Sequence, residues 1–573
     1  MGRTNDAVET VLLEYADLLA IVAEDRFKPR AYEKAARAVG GYHADLDGMD
    51  LVEIRQIPSV GSSIAEKIHE FLTSGTIAAL ESLRSQIPAS VREMTEIPGL
   101  GPKRALAIYK DRGIDSIEEL RAALEGGRLD DVKGFGPKTR ENILRGIDRM
   151  SQASGRALLS VAGDLAGYFV ERLSERTAVE RIEIAGSLRR MRETIGDVDL
   201  LVASEEPTDV MEVFATAGMV DRVLARGDTK SSVLTRTGIQ IDLRVVPLES
   251  WGAAMIYFTG SKAHNIRVRE MAVRKGLKLN EYGLYRAKTG KLIVAETEEE
   301  VYAKLGLPWI PPTMREDRGE VDAALDGTLP DVLTRTQVRG DLHTHTNLTD
   351  GLASLEQMLD AASSLRYAYY AVTDHAPNLY MQRMTDEKML AQREQVRGLQ
   401  GRYPKMTLLH GTELNIDPDG NVDWDADFLA GFDVTVASVH SHFTQSKDDM
   451  TRRVIRAMEN PNVNIIGHPT TRKIDQREPV EYDLEELFKA AARTGTALEV
   501  NGYPDRLDLR DEHILWARRH GVKFAVDTDS HATVHLEHMR YGVAQAQRGW
   551  LTRDDVINAW PLEKLRRFLR KGR

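Results

Sequence analysis

Metal-binding side chains recur in the C-terminal part of the chain, beginning with RGDLHTHTNLTD at residues 339–350. His343 and His345 lie one residue apart, and Asp350 follows five residues after the second histidine. In a strand these two histidines would point to the same face, because side chains alternate along a strand. The spacing is common on surfaces and in cores, so this stretch alone leaves a structural role open beside metal binding.

Ligand-type residues also end nearly every later apolar run. The runs end at His375 in AYYAVTDH, Glu413 in TLLHGTEL, His440 in DVTVASVH, His468 in VNIIGHP, Asn501 in ALEVNG, and Asp529 and His531 in KFAVDTDSH. Helical stretches separate the runs, and seven such strand-then-helix units predict a closed parallel α/β barrel. In such barrels, chemistry gathers at the carboxyl ends of the strands. Structural histidines are not expected at the end of strand after strand.

This pattern predicts a multinuclear metal site. The candidate ligands are His343, His345, Asp350, His375, Glu413, His440, His468, Asp529 and His531. The chain has no cysteine, and imidazole and carboxylate ligands suit Zn²⁺, Mn²⁺ or Fe²⁺. We expect two or three ions, with Glu413 bridging them, and a site suited to phosphate-ester hydrolysis. The histidines outside the pattern are expected to be surface or core residues: His442, His513, His520, His535 and His538.

A second acidic cluster is predicted around IEIAGSLRRMRETIGDVDLLVA at 182–203. Asp197 and Asp199 share one face of a strand, and Asp242 takes the same alternation in IQIDLRVVP at 239–247. A carboxylate inside an apolar strand is costly unless it is paired or binds a cation. Three on adjacent strands predict a pair of hard cations, the arrangement for in-line phosphoryl transfer. Ser187 and Arg190 are placed to bind a triphosphate.

A glycine turn followed by a helix occurs three times in the helical first 150 residues, as IPSVGSSIAEKI (57–68), IPGLGPKRALAI (97–108) and VKGFGPKTRENI (132–143). Glycine allows close backbone approach, and a helix start offers free N–H groups to an anion. The copies resemble helix-hairpin-helix motifs, which contact the DNA backbone without reading sequence. In the first copy Ser59 replaces the first glycine, which predicts weaker phosphate binding there. The predicted DNA-binding residues in the hairpins are Gly61, Gly99, Gly101, Lys103, Gly134, Gly136 and Lys138.

Length and composition predict a multidomain globular protein. The chain has 573 residues, more than one core usually supports, with 42% hydrophobic and 29% charged residues. We find no apolar run long enough to span a bilayer and no signal peptide at the N-terminus. The net charge of −11 argues against indiscriminate binding to polyanions. We expect a monomeric, cytoplasmic, nucleoid-associated protein without a membrane partner.

The motifs GSLRR, GDVD, IDLR, YFTGSKAHNIRVRE and LNEYGLY occur in an order that resembles the family X DNA polymerases, from the N-terminus to about residue 315. The resemblance implies that Asp197, Asp199 and Asp242 are catalytic and hold Mg²⁺ or Mn²⁺. It implies a nucleotide site made of Gly186, Ser187, Arg190, Gly196, Tyr257, Phe258, Gly260 and Asn265, with Arg269 contacting DNA. It also places Lys67 on the lysine that forms a Schiff base with 5′-deoxyribose phosphate. A neighbouring basic position of that pocket is Ser63 here, so lyase activity is left open.

The pattern HxH, TDH, GxE, SVH, GHP and DxH resembles the polymerase and histidinol phosphatase (PHP) domain, with every ligand position occupied. The whole chain then resembles the bacterial family X polymerases, which fill short gaps in base excision repair. That resemblance implies gapped or primer–template DNA and dNTPs as partners. It also implies a Mn²⁺-dependent 3′→5′ exonuclease with abasic-site and 3′-end processing, in which His343 and Glu413 are catalytic.

The predicted fold is therefore an all-α N-terminal region, an α+β nucleotidyltransferase palm with a thumb-like nucleotide-binding subdomain, and a C-terminal distorted (β/α)7 barrel. The expected boundaries are 1–80 and 81–150 for the helical domains, 151–247 for the palm, 248–315 for the nucleotide-binding subdomain, 316–335 for a linker and 336–573 for the barrel.

Two alternatives to a bifunctional repair enzyme remain open. In one, the barrel is a small-molecule phosphatase or pyrophosphatase beside an active polymerase. In the other, hairpins and barrel form a non-enzymatic scaffold that binds DNA ends.

Overall fold

The computed structural model describes residues 4–571 except 23–26, 41, 43–45, 58, 88–90, 92–93, 96, 98–99, 101, 130–131, 133–134, 137–138, 142, 145, 148–155, 380–381 and 383. Among the described residues, no helix combines the length and apolar character needed to cross a membrane.

Helices build the N-terminal region. Their bounds are α1 Thr4–Val22, α2 Phe27–Gly40, α3 Leu51–Ile54, α4 Ser62–Ser74, α5 Ala78–Gln86, α6 Pro102–Arg112 and α7 Ile117–Glu125. Their apolar faces share one core that includes Leu12, Ile68 and Leu120. Ser59 adopts φ +65°, the left-handed conformation that favours glycine, just before α4. The turn geometry expected of a glycine is therefore kept by a serine, at some cost in backbone strain.

The palm is a five-stranded sheet of order β2–β4–β7–β6–β5, with a small pair formed by β1 and β3 beside it. The strands are β1 Ala157–Leu158, β2 Arg181–Ile184, β3 Thr194–Ile195, β4 Asp197–Ala203, β5 Val220–Arg226, β6 Lys230–Thr235 and β7 Gln240–Val246, and the helices are α8 Leu159–Arg176, α9 Gly186–Arg189 and α10 Pro207–Ala215. β4 and β7 are parallel neighbours. Val198 and Leu200 of β4 point into the core, and the alternate positions at the start of this strand are occupied by Asp197 and Asp199.

The nucleotide-binding subdomain follows. It contains α11 Trp251–Thr259, α12 Lys262–Arg274, β8 Leu277–Asn280, β9 Gly283–Arg286, β10 Leu292–Val294 and α13 Glu298–Lys304, and the strands form an antiparallel sheet of order β10–β9–β8.

The segment 316–335, expected to be a linker, is folded. It contains α14 Glu320–Leu325, whose Val321 joins the apolar core of the nucleotide-binding subdomain. Glu320 is fully buried, and its Oε1 lies 2.7 Å from Nδ1 of His264. The charged composition that indicated a solvated linker instead supplies partners for buried polar groups.

The C-terminal part is a seven-stranded parallel sheet with the strands in chain order. The strands are β11 Gly340–Asp341, β12 Tyr369–Val372, β13 Thr407–Asn415, β14 Val434–Ser438, β15 Ile465–Ile466, β16 Ala497–Asn501 and β17 Phe524–Asp527. The helices around them are α15 Leu355–Ser364, α16 Asp386–Leu399, α17 Ala426–Leu429, α18 Lys447–Glu459, α19 Leu484–Thr494, α20 Asp511–Arg519, α21 Met539–Arg548 and α22 Leu562–Leu569. The N–H of His345 donates to the carbonyl of Ser530 at 2.8 Å, which brings the first and last strands together. The predicted (β/α)7 barrel is confirmed.

Palm and barrel pack directly against each other. Leu507 and Tyr541 of the barrel belong to the same apolar cluster as the palm residue Val198. Beside this contact, Arg472 of the barrel forms an ion pair with Glu193 of the palm at 2.7 Å. The two halves therefore share an apolar cluster flanked by charge.

Candidate active sites

The three aspartates predicted to hold cations come together in the palm. Asp199 lies directly opposite Asp242 on the parallel strands β4 and β7, and Asp197 precedes Asp199 by two residues on the same face. One carboxylate oxygen from each lies within 4.8 Å of the others. Burial raises the pKa of Asp199 to about 7, and the negative charges of Asp197 and Asp242 add to this rise. Such a cluster is stabilised when a proton or a cation neutralises it, so these residues fit a divalent ion.

Gly186 brings the backbone of α9 against this triad. A Cβ at this position would lie 2.0 Å from Oδ2 of Asp199, and the residue has φ +61°. The N–H of Ala185 donates to the carbonyl of Asp199 at 2.8 Å, which fixes the turn on β4. Ser187 follows and is half-buried. Gly196 lies beside a basic side chain, because a Cβ at this position would lie 3.0 Å from Nη1 of Arg156.

Arg190, predicted to bind a triphosphate, contacts protein groups in this structure. Its Nε lies 3.1 Å from Oε1 of Glu316, and its Nη1 donates to the carbonyl of Thr259 at 2.6 Å. A Cβ at Gly260 would lie 3.2 Å from the same Nη1. Burial lowers the pKa of Arg190, and the carboxylate of Glu316 opposes this shift. A bound triphosphate would compete with Glu316 for the guanidinium.

The predicted sugar and base pocket lies where α11 meets α12. Asn265 donates through Nδ2 to the carbonyl of Tyr257 at 2.7 Å, while its Oδ1 is buried without a hydrogen-bond partner. Arg269, predicted to contact DNA, is exposed and lies over the ring of Tyr257 at 5.3 Å. Arg244 lies 5.2 Å from the ring centre of Phe258. Two cations therefore flank the aromatic pair.

A buried carboxylate that the sequence did not reveal supports the GSLRR turn. Glu298 accepts hydrogen bonds from Arg189 at 2.8 and 2.9 Å and from Arg315 at 2.7 Å. Burial opposes its ionisation, but the two guanidinium groups outweigh burial and lower the pKa of Glu298 to about 2. The EEE run at 298–300 has the composition of a solvated helix start, so no sequence signal singled out Glu298.

In the barrel, Glu413 lies at the centre of the predicted ligands. Nitrogen–oxygen distances to Glu413 are 3.3 Å from His343, 3.5 Å from His345, and 3.0 Å from each of His375, His440 and His468. Asp529 lies 3.2 Å from His345, and Asp350 lies 3.3 Å from His375 and 3.5 Å from His531. All the predicted ligands therefore meet at one end of the barrel.

The donor set fits metal ions. Groups of side chains whose ligand atoms lie within 4.8 Å of one another are His345, Asp350, His375 and His531; His343, His345 and Asp529; and His375, Glu413 and His440. Nε2 of His343 and both ring nitrogens of His345 are buried without a hydrogen-bond partner. Burial opposes ionisation of Glu413, but His440, His343 and His375 lower its pKa well below the usual range. Unpaired imidazole nitrogens around an ionised carboxylate are the ligands that divalent transition metals require.

Two further polar residues orient these ligands. Oε1 of Glu499 lies 2.7 Å from Nδ1 of His343, and its other oxygen accepts from the N–H of His468. Oδ1 of Asn415 lies 2.7 Å from Nδ1 of His440. Such partners fix the ring orientation of ligating histidines. Glu499 alternates with Asn501 in ALEVNG, and this spacing could have identified it. From the sequence, only the asparagine was named.

Of the histidines expected to lie outside the site, His535 borders it. The N–H of His531 donates to Nδ1 of His535 at 3.3 Å, and the His535 ring stacks on His538 with centroids 5.0 Å apart. Both rings pack edge-on against Tyr503. His442 is exposed, as expected of a surface residue.

In the N-terminal region the structure locates only some of the predicted positions. Gly61 and Gly136 are exposed, with open space where a Cβ would lie. Nζ of Lys67 lies 5.7 Å from the ring centres of both Tyr15 and Tyr32 and 3.4 Å from the hydroxyl of Ser63. Outside the described residues lie Gly99, Gly101, Gly134, Lys138 and the side chain of Lys103.

Family models match four parts of the chain. They are a helix-hairpin-helix domain over residues 3–77, a SAM-like helix-hairpin-helix tandem over 91–149, a DNA polymerase beta thumb over 254–316 and a PHP domain over 341–502.

Curated relatives match different shares of the chain. A DNA polymerase/3′-5′ exonuclease PolX of Bacillus subtilis (strain 168) is 35% identical over 557 residues, covering 97% of each chain. The DNA polymerase lambda of Rattus norvegicus is 26% identical over 325 residues, 52% of this chain and 53% of the relative. That of Arabidopsis thaliana is 24% identical over 347 residues, 54% of this chain and 62% of the relative.

Proposed function

Because the chain belongs to the bacterial family X DNA polymerases that carry a C-terminal PHP domain, we propose that it is a bifunctional DNA repair enzyme. It fills short gaps by template-directed nucleotidyl transfer at the palm aspartates. At the barrel cluster it removes nucleotides from 3′ ends and processes abasic sites. The observation that carries the proposal is the presence of two complete ligand constellations in one chain.

At the palm, Asp197, Asp199 and Asp242 would hold Mg²⁺ or Mn²⁺ beside the turn that begins at Gly186. At the barrel, the histidines and carboxylates around Glu413 would hold two or three Mn²⁺, Zn²⁺ or Fe²⁺ ions. When bound, these cations would lower the pKa of the attacking hydroxyl or water and neutralise phosphate charge. Arg190 would exchange Glu316 for the triphosphate of an incoming dNTP.

The barrel site opens to solvent on one side. Most of its ligands are buried, but the side chains of Asp350, His531 and His440 are 32%, 26% and 16% exposed. A phosphodiester would approach from this side, with Glu413 at the floor. We expect His343 and Glu413 to be required for hydrolysis because both lie at the buried centre of the cluster.

A weaker 5′-deoxyribose phosphate lyase activity is proposed at Lys67. Its amine lies over two tyrosine rings and beside Ser63, and we propose that it attacks the aldehyde of an incised abasic site. Borohydride trapping on an incised abasic site tests this. We expect a covalent adduct with the wild type and none with Lys67→Ala.

The primary experiment uses a 5′-labelled primer in a one-nucleotide gap with a downstream 5′-phosphate, with Mn²⁺ and with or without dNTPs. We expect extension with dNTPs and stepwise shortening without them. Asp242→Asn should abolish extension but keep shortening, and His343→Ala should do the reverse. Shortening that persists in His343→Ala would contradict the assignment of the nuclease to the barrel.

The same preparations separate the alternatives. Hydrolysis of a soluble phosphomonoester or of pyrophosphate, without shortening of DNA, would favour a small-molecule phosphatase. DNA-end binding that survives both substitutions, with no turnover at all, would favour a scaffold. We further propose that the protein acts as a monomer, because each constellation is complete within one chain. Sedimentation at working concentration tests this.

A further inference from the structure

Arg506 is a half-buried cation at the edge of the barrel cluster that neither the ligand pattern nor the family motifs identified. It lies on the segment between β16 and α20, at the carboxyl end of its strand. Its Nε lies 3.7 Å from Oδ2 of the predicted ligand Asp529, and its side chain is 18% exposed. Its Nη1 is buried without a hydrogen-bond partner. A buried donor left unpaired is costly, which indicates that it has a partner in the working complex.

The segment that carries Arg506 is held in place from several sides. Asp508 accepts hydrogen bonds from the N–H and the hydroxyl of Thr470 at 3.1 and 2.9 Å. Leu507 packs into the apolar cluster shared with the palm. Asp505 forms an ion pair with Lys473 at 3.0 Å. These contacts fix the backbone on both sides of Arg506, so the position of its guanidinium relative to the cluster is fixed as well.

We propose that Arg506 binds a non-bridging oxygen of the phosphodiester that is hydrolysed at the barrel cluster; this inference rests on the proposed nuclease function. A guanidinium presents a planar array of donors that matches phosphate oxygens, and one edge here already faces Asp529. The unpaired Nη1 therefore remains for the substrate. The ring of Tyr503, two residues after the end of β16, lies 6.5 Å from that of His531, so this segment borders the open side of the site.

In the reaction, water forms the new P–O bond and the bond to the 3′ oxygen of the penultimate nucleotide breaks. One proton of the water ends on that leaving oxygen, and a nucleoside 5′-monophosphate is released. Negative charge grows on the non-bridging oxygens as the water attacks. A fixed guanidinium beside one of them stabilises this charge without reorganising.

The test compares Arg506→Gln, Arg506→Lys and the control Arg493→Gln, which removes an exposed guanidinium that pairs with Glu459 on the outer helices of the same barrel. We expect Arg506→Gln to slow single-turnover primer shortening by about 10²-fold, as removal of one donor to a developing anion usually does. Arg506→Lys should recover part of the rate, and Arg493→Gln should match the wild type. Bound metal, measured by elemental analysis, and gap filling should stay at wild-type levels in all three.

A second readout uses a methylphosphonate at the terminal linkage, which removes one non-bridging charge. One stereoisomer should slow the wild type much more than Arg506→Gln. Wild-type shortening by Arg506→Gln, or loss of its metal, would overturn the inference while His343→Ala still tests the proposed function. A wild type that does not shorten DNA would overturn both.

Discussion

Gly186 is where the polymerase chemistry depends most directly on a single side chain being absent. We predict that Gly186→Ala lowers the rate of gap filling by at least about 10²-fold, because a Cβ would lie 2.0 Å from Oδ2 of Asp199 and displace a predicted ligand. Pre-steady-state extension of a gapped primer measures this, and primer shortening at the barrel should be unchanged.

Gly238→Ala is the matched control. Gly238 also has positive φ, +79°, but nothing lies within 4 Å of its Cβ position. This variant experiences backbone strain alone, which is about 1–2 kcal/mol. Equal loss of gap filling in both variants would show that strain, rather than contact with Asp199, is responsible.

Glu298 gives a prediction about stability and pH. Its pKa is lowered from 4.5 to about 2 in the folded protein, so its ionised form favours folding. The contribution, about 3 kcal/mol, is complete above pH 4.5 and is lost as the pH falls through about 2. Glu298→Gln should therefore lower the urea midpoint strongly at pH 7 and much less at pH 3.

The control for this prediction is Glu299→Gln, an exposed neighbour in the first turn of the same helix. It should leave the midpoint unchanged at both pH values. A Glu298→Gln effect of the same size at pH 7 and pH 3 would show that packing, and not the ion pairs with Arg189 and Arg315, accounts for the loss.

At the scale of single residues, the sequence identified polar residues that lie in an apolar stretch. Asp199 and Asp242 were identifiable because a carboxylate inside a hydrophobic strand needs a partner. Arg506 and Glu298 were not, because each lies in a stretch already rich in charged residues, and only the fold reveals which of those charges faces the cluster or is buried.

At the scale of elements, strand alternation places polar side chains of β16 directly behind the predicted metal ligands. Glu499 and Asn501 share the inward face, and Glu499 lies 2.7 Å from Nδ1 of His343. We predict that Glu499→Gln lowers metal affinity by about 10–100-fold because it no longer orients the imidazole through a charged acceptor. The metal content that remains after dialysis against increasing concentrations of a chelator measures this change.

Glu485→Gln serves as the control, since Glu485 pairs with Lys489 on an outer helix of the same barrel. It should retain metal as the wild type does. Equal metal retention by Glu499→Gln would mean that the barrel strands alone orient His343.

The same alternation explains which elements were predictable. The barrel followed from repeated apolar runs ending in ligands, even though β11 and β15 are only two residues long. The segment 316–335 was misjudged, because α14 is a short helix whose Glu320 is buried by contacts with His264 from another part of the chain. The composition of a short segment does not reveal a partner that lies far away in the sequence.

At the scale of the whole molecule, one arginine of the barrel contacts the turn of the palm that is predicted to bind the nucleotide. Arg548 is 2% exposed and donates to the carbonyl of Arg190 at 2.7 Å. It also pairs with Glu316 at 2.9 Å and with Asp511 at 2.6 Å. Glu316 also pairs with the guanidinium of Arg190. Arg548 of the barrel and a bound triphosphate would therefore both act on the ion pair between Arg190 and Glu316.

This contact predicts that a substitution in the barrel changes nucleotide binding in the palm. Arg548→Gln removes one of two cationic partners from Glu316, which keeps Arg190 at 3.1 Å, and from Asp511, which keeps Arg318 at 3.0 Å. It should destabilise the protein by about 1.5–3 kcal/mol, the usual cost of a lost hydrogen bond to a charged group. It should also raise the KM for dNTP in gap filling by about 5- to 10-fold, the lower part of the range usual for coupling between sites. The reason is that Arg190 loses the donor to its carbonyl, while Glu316, without Arg548, competes more strongly for the Arg190 guanidinium. Steady-state gap filling over a range of dNTP concentrations measures this.

Arg518→Gln, which breaks a pair with Asp555 elsewhere in the barrel, should leave KM unchanged. If Arg548→Gln lowers the melting temperature but not the affinity for dNTP, the junction only holds the two enzymes together; if both change, the barrel takes part in setting how readily the palm accepts a nucleotide.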